Sequence, residues 1–154
     1  MANQTILAGD SRKAPYAGVV GNSGRWSGDY TAPVASTATT GDSAIVELFE
    51  LPAGATVDHF RAAWSALGAS RVMALGFRYK DGSTTDGTNT ASGTFFDSAR
   101  SVAAAGNADF TTLPFKNLVK PIIVYATISG GTGAQIPAAG RIYVTALGEF
   151  VGTN

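Results

Sequence analysis

The chain has 154 residues and a mass of 15.7 kDa, which suits one domain with a sizeable core. Eleven Lys and Arg balance eleven Asp and Glu, and only 14% of residues are charged, so no basic field exists to hold a nucleic acid or an anionic membrane. Cysteine is absent, which excludes disulfides, thiolate metal sites and thiol nucleophiles.

The first residues, MANQTILAGDSRK, lack the cationic stretch and long apolar run of a secretory signal, and no segment reaches the length of a membrane span. A soluble protein is expected. Residues 1–42 differ from the rest: six glycines, Pro15 and Pro33 interrupt PYAGVVGNSGRWSGDY and the polar tract ASTATTGDS. They read as an extended N-terminal arm preceding a β-sandwich domain over 43–154. Three readings are open to it: one or two strands at the sandwich edge, a segment that orders on a neighbouring subunit, or simple disorder. In the second reading Arg12, Lys13, Tyr16, Arg25, Trp26 and Tyr30 supply the residue types enriched at interfaces, and they are the candidate contact residues.

From residue 43 the pattern is that of strands. SAIVELFEL is apolar on both faces, as a strand between layers should be, and it ends at the corner Pro52-Ala53-Gly54. VDHFRAAWSAL, over 57–67, fits a strand through Phe60, Ala62 and Trp64. It also fits a helix through Phe60, Ala63, Trp64 and Leu67, closed by Gly68. The strand is favoured because its neighbours are strands. RVMALGFRY sets Met73, Leu75, Phe77 and Tyr79 on one face. The segment KDGSTTDGTNTASG then reads as a loop, and FFDSARSVAAAGNADF as a short helix capped near Asp97 or Ser98. Two final strands put Ile122, Val124, Ala126 and Ile128, then Ile142, Val144, Ala146 and Phe150, on their apolar faces. Arg141, Tyr143, Thr145 and Glu149 lie on the polar face of the last. The fold class is all-β: an antiparallel, jelly-roll-like β-sandwich with an extended arm and one short helix.

Chemistry is sparse. The one histidine, His59, shares the polar side of its segment with Arg61 and cannot supply a multi-histidine metal set. GNSG at 21–24 is not a nucleophile elbow. Glu47, Glu50 and Glu149 form no pair whose environments the sequence sets apart. The oxygen-rich loop Asp81 to Asn89 lacks the spacing of a calcium loop, and SGGTGA has neither the lysine nor the helix of a phosphate cradle. No catalytic residue, cofactor or metal is expected.

VELFELPAGATVDHFRAAWSALGASRVMALGFRYKDG, with ASGTFFDSARSVAAAG and KPIIVYATISGGTGAQIPAAGRIYVTALGEF, resembles the small structural proteins of tailed bacteriophages over roughly residues 45–150. The shared marks are an LPAGA corner, an ALGAS turn, a G-x-x-Y-x-D-G turn and a terminal pair of strands. The resemblance implies a jelly-roll-like sandwich and a non-enzymatic virion protein that binds and stabilises a capsid as a decoration or cement protein. It further implies a major capsid protein as partner, a dimeric or trimeric homo-oligomer, and a place on the capsid surface after assembly in the host cytoplasm. Neither nucleic acid nor membrane is an expected partner. The alternative is a receptor- or carbohydrate-binding module of a phage tail or head fibre, with Trp26, Tyr30 and Tyr143 as stacking candidates.

Overall fold

The computed structural model describes residues 3–7, 23–110 and 118–150. Among the described residues nine strands run in chain order: β1 (Asn3–Leu7), β2 (Ser23–Thr31), β3 (Ser43–Leu51), β4 (Ala55–Trp64), β5 (Arg71–Tyr79), β6 (Ser92–Ser101), β7 (Gly106–Phe110), β8 (Ile122–Gly130) and β9 (Arg141–Phe150). They form two sheets, ordered β1-β3-β8-β5-β6 and β2-β9-β4-β7. With β1 set aside, successive strands fall in opposite sheets at several points, and the two four-stranded orders are those of a jelly roll, two interlocked Greek keys. All strand pairs are antiparallel except β1 on β3, which is parallel from Asn3↔Ser43 to Leu7↔Glu47.

The expected alternation places the core. Met73, Leu75, Phe77 and Tyr79, and Ile122, Val124, Ala126 and Ile128, are fully buried between the sheets. Phe60, Ala62, Ile142, Val144 and Ala146 meet them from the other layer. Each large apolar side chain so buried contributes about 1.5–3 kcal/mol. Residues 55–64 are a strand, because period two gives β4 a partner on each side, β9 and β7. Phe150, expected in the core, is 40% exposed because it lies at the far end of β9, opposite Ala55 at the sheet's rim. In β3 a bulge between Glu47 and Phe49 turns both Leu48 and Phe49 inward.

The Pro52-Ala53-Gly54 corner is a crossing between layers. It carries the chain from β3 in one sheet to β4 in the other, so the two strands it joins are not a hairpin. Gly54 has φ 82°, which an L side chain resists, and its N–H donates to Leu118 O at 2.6 Å.

Two expectations are corrected. The segment FFDSARSVAAAGNADF holds no helix: its first part belongs to strand β6 (Ser92–Ser101), paired with β5 at Val72↔Ser101 and Met73↔Arg100, its last part is β7 (Gly106–Phe110), and the alanines at 103–105 lie in the short bend between them. Pairing of the flanking residues, β6 on β5 and β7 on β4, leaves the alanines too short a connection to form a helix. The register slips from Leu75↔Asp97 to Phe77↔Ser92, and this irregularity lets Phe95 and Phe96 close the edge of the core. Phe96 stacks on Phe60 at 4.5 Å and Phe95 meets Phe77 edge-on at 4.9 Å. Gly76 permits the kink, since a Cβ there would collide with the backbone of Ser92 and Gly93.

The second correction concerns residues 1–42. Ser23–Thr31 is not an arm segment but strand β2, hydrogen-bonded along β9 from Ser23↔Glu149 to Thr31↔Arg141. Residues 32–42 are tied in as well, through Ala32 N–H to Gly140 O and Ser36 N–H to Ile136 O. The edge-strand reading therefore fits these residues. At the same end of the sandwich the buried Arg71 side chain donates to the carbonyls of Leu67, Thr132 and Ala134 at 2.9, 2.8 and 2.6 Å. Among the described residues no helix is long and apolar enough to cross a membrane.

Candidate functional site

The β2-β9-β4-β7 sheet has one face in the core and one face outward. Alternation assigns its residues: Trp26 and Tyr30 point inward, Arg25, Ser27 and Asp29 outward. Register then assembles rows across the sheet. Arg25 lies opposite Leu147, which lies opposite His59; Ser27, Thr145, Arg61 and Asp109 form the next row; Asp29, Tyr143, Ala63 and Asn107 the third.

Charges on this face are unevenly paired. Arg141 makes a two-pronged contact with Asp29, Nε to Oδ1 at 2.9 Å and a second nitrogen to Oδ2 at 2.5 Å, which raises the arginine pKa. Asp109 is shared by Arg61 Nε at 3.6 Å and His59 Nε2 at 3.4 Å. Arg25 has no carboxylate partner among the described residues; its guanidinium donates to the Tyr143 hydroxyl at 2.7 Å. The neighbouring Thr145 hydroxyl and the Arg25 guanidinium hold that Tyr143 hydroxyl below its ordinary pKa, against the raising effect of burial. Between Arg25, Arg61, His59, Tyr143 and Leu147 runs a shallow groove of about 440 Å³. A second hollow of about 330 Å³, lined by Trp64, Ser65 and Arg141, adjoins it at Ala63 and Tyr143.

Of the three candidate contact residues that lie among the described residues, Arg25 alone stands exposed on this face. Trp26 and Tyr30 are 3% and 7% exposed, packed in the chain's own core, so they cannot reach a partner or a sugar while β2 is paired. Arg12, Lys13 and Tyr16 lie outside the described residues. Arg61, Leu147 and Asp109 were not singled out for contact by the sequence. The alternation of β4 and β9 marked Arg61 and Tyr143 as outward, but nothing local brings Tyr143 beside Arg25.

Elsewhere the polar groups are engaged in holding the fold. Glu47 pairs with Arg78, and Glu50 with Lys80, across the other sheet. In the 80–91 loop, Asp81 accepts from the Ser83 hydroxyl and N–H and meets Lys120 at 3.0 Å, which lowers its pKa to about 2. Asp86 Oδ1 accepts the N–H groups of Thr88 and Asn89. These are turn-forming contacts. Among the described residues no three His, Asp or Glu side chains cluster as metal ligands would.

The architecture is thus that of a single jelly roll with an extra parallel strand at one edge. The same fold is found in phage capsids. The chain aligns over 99% of its length with all of a chain from the capsid of Ralstonia phage GP4, at a TM-score of 0.66 and 18% identity. It aligns over 90% of its length with 91% of a chain from the Cyanophage Pam1 capsid asymmetric unit, at 0.54 and 24% identity. Likeness at these identities is a likeness of fold. No family model matches the chain, and no curated protein matches it.

Proposed function

We propose that this protein is a non-enzymatic structural component of a bacteriophage virion that binds and stabilises the capsid as a decoration or cement protein. The observation that carries the reading is the end-to-end match with a capsid chain, 99% of one on 100% of the other. The polar outer face supports it, because its ion pairs and shallow grooves suit contact with a broad surface and enclose no small substrate. The partner is the major capsid protein, and the protein acts as a dimer or trimer on the capsid surface, assembled in the host cytoplasm.

Titration onto capsids stripped of small subunits tests this. Saturable loading at a stoichiometry fixed by the icosahedral lattice is the expected result, with the oligomer read by mass photometry. Absence of loading, together with saturable binding to a glycan array, would instead favour the receptor-binding module. That alternative has lost Trp26 and Tyr30 as stacking surfaces and retains Tyr143 alone.

A further inference from the structure

We infer that the outer groove of the β2-β9-β4 layer is a docking site for an acidic extended segment of a protein partner, its carboxylate held between Arg25 and Arg61. The inference rests on the decoration reading and names the surface and chemistry through which it operates.

Charge complementarity is the argument. The groove is lined by two arginines, one histidine and no acid. Of the neighbouring carboxylates, Asp29 is engaged by Arg141, and Asp109 at the groove's β7 side is shared by His59 and the Nε of Arg61 at 3.4 and 3.6 Å, leaving the other guanidinium nitrogens of Arg61 and all of Arg25 without a carboxylate among the described residues. Glu149 stands on the same strand beyond Leu147, opposite Ser23, at the end of the face. Among the described residues Arg25 has one neutral hydroxyl acceptor, and a guanidinium has five N–H donors. Register puts Arg25 and Arg61 on either side of β9, two rows in depth, with Leu147 between β2 and β4. Leu147 is 42% exposed, among the most exposed large apolar side chains described. Cations flanking an exposed apolar residue fit an acidic peptide with alternate apolar side chains. A glycan is the weaker fit, because Tyr143 is half-buried and its hydroxyl already engages Arg25.

The full chain, labelled with ¹⁵N, is titrated at low salt with an end-blocked pentapeptide alternating glutamate and leucine. A second arm uses the same peptide with glutamine for glutamate, and a third uses sialyllactose. Shifts confined to β2, β4 and β9, produced by the glutamate peptide and lost at high salt, are expected. Arg25→Gln and Arg61→Gln should each weaken binding about fivefold, the effect of an exposed ion pair. Equal binding of the glutamine peptide, shifts on other elements, no binding, or sialyllactose taking the same residues would each overturn the inference. On capsids, full loading of Arg25→Gln/Arg61→Gln beside wild type overturns this surface and leaves decoration standing. Failure of wild type to load overturns decoration, and the peptide arms still decide the groove.

Discussion

One sheet presents two chemistries. On its inner face Trp26, Tyr30, Phe60, Ile142 and Val144 are packed into a layer closed to water; on its outer face Arg25, Asp29, Arg61, Tyr143 and Arg141 meet it. The residues alternate along the same strands, so a single position separates a group that holds the fold from one free to meet a partner. Inner positions act through packing, whose loss is costly everywhere. Outer positions act through pairs that water and salt weaken, and their value appears when a partner excludes the water.

The largest effect belongs to the inner face. Phe60→Ala and Trp26→Ala should each cost about 3–5 kcal/mol in denaturant unfolding, with any loss of capsid loading following the loss of folded protein. A Trp26→Ala variant with an unchanged melt and reduced loading would break the division between faces.

Alkaline titration sharpens it. Burial, with Asp86 nearby, pushes the inward Tyr79 up to about 12, whereas the outward Tyr143 is held below its ordinary value. Unfolded chains ionise tyrosine near 10, so Tyr79 binds its proton more tightly in the folded state. Its contribution to stability is whole below pH 10 and is lost between 10 and 12. Tyr143 has the opposite sign, gaining stability as pH rises through its folded pKa. Tyr79→Phe should therefore flatten the alkaline fall of stability and Tyr143→Phe should steepen it, read from urea unfolding at pH 9 to 12.

A smaller effect is expected at the outward ion pair. Arg141→Gln should lower the urea midpoint only slightly, and less as salt is raised. The smallest is Arg25→Gln, within about 0.5 kcal/mol of wild type in stability while peptide binding falls. A large loss of stability at either arginine would place the outer face among the structural elements.

How far the sequence disclosed this arrangement depended on the regularity of each strand. β5, β8 and β9 were legible because each alternates without interruption over an inward set such as Met73, Leu75, Phe77 and Tyr79. β2 was obscured by Gly24 and Gly28, which leave Trp26 and Tyr30 as isolated aromatics with the look of an interface. β6 was obscured because its slipped register breaks period two where Phe95 and Phe96 turn to the core. The outer site was only half legible. Arg25 was marked by residue type, but its neighbour Tyr143 is 118 positions away, and pairing at that distance is set by topology.

The Arg71 side chain carries a different implication, for durability. Its charge is met by three backbone carbonyl oxygens, from Leu67, Thr132 and Ala134. A carboxylate partner would be neutralised by acid, but a peptide carbonyl has no proton to gain across ordinary pH, and a site this enclosed is poorly reached by dissolved ions. The loops gathered around that guanidinium are thus fastened by a clasp indifferent to acidification and to brine.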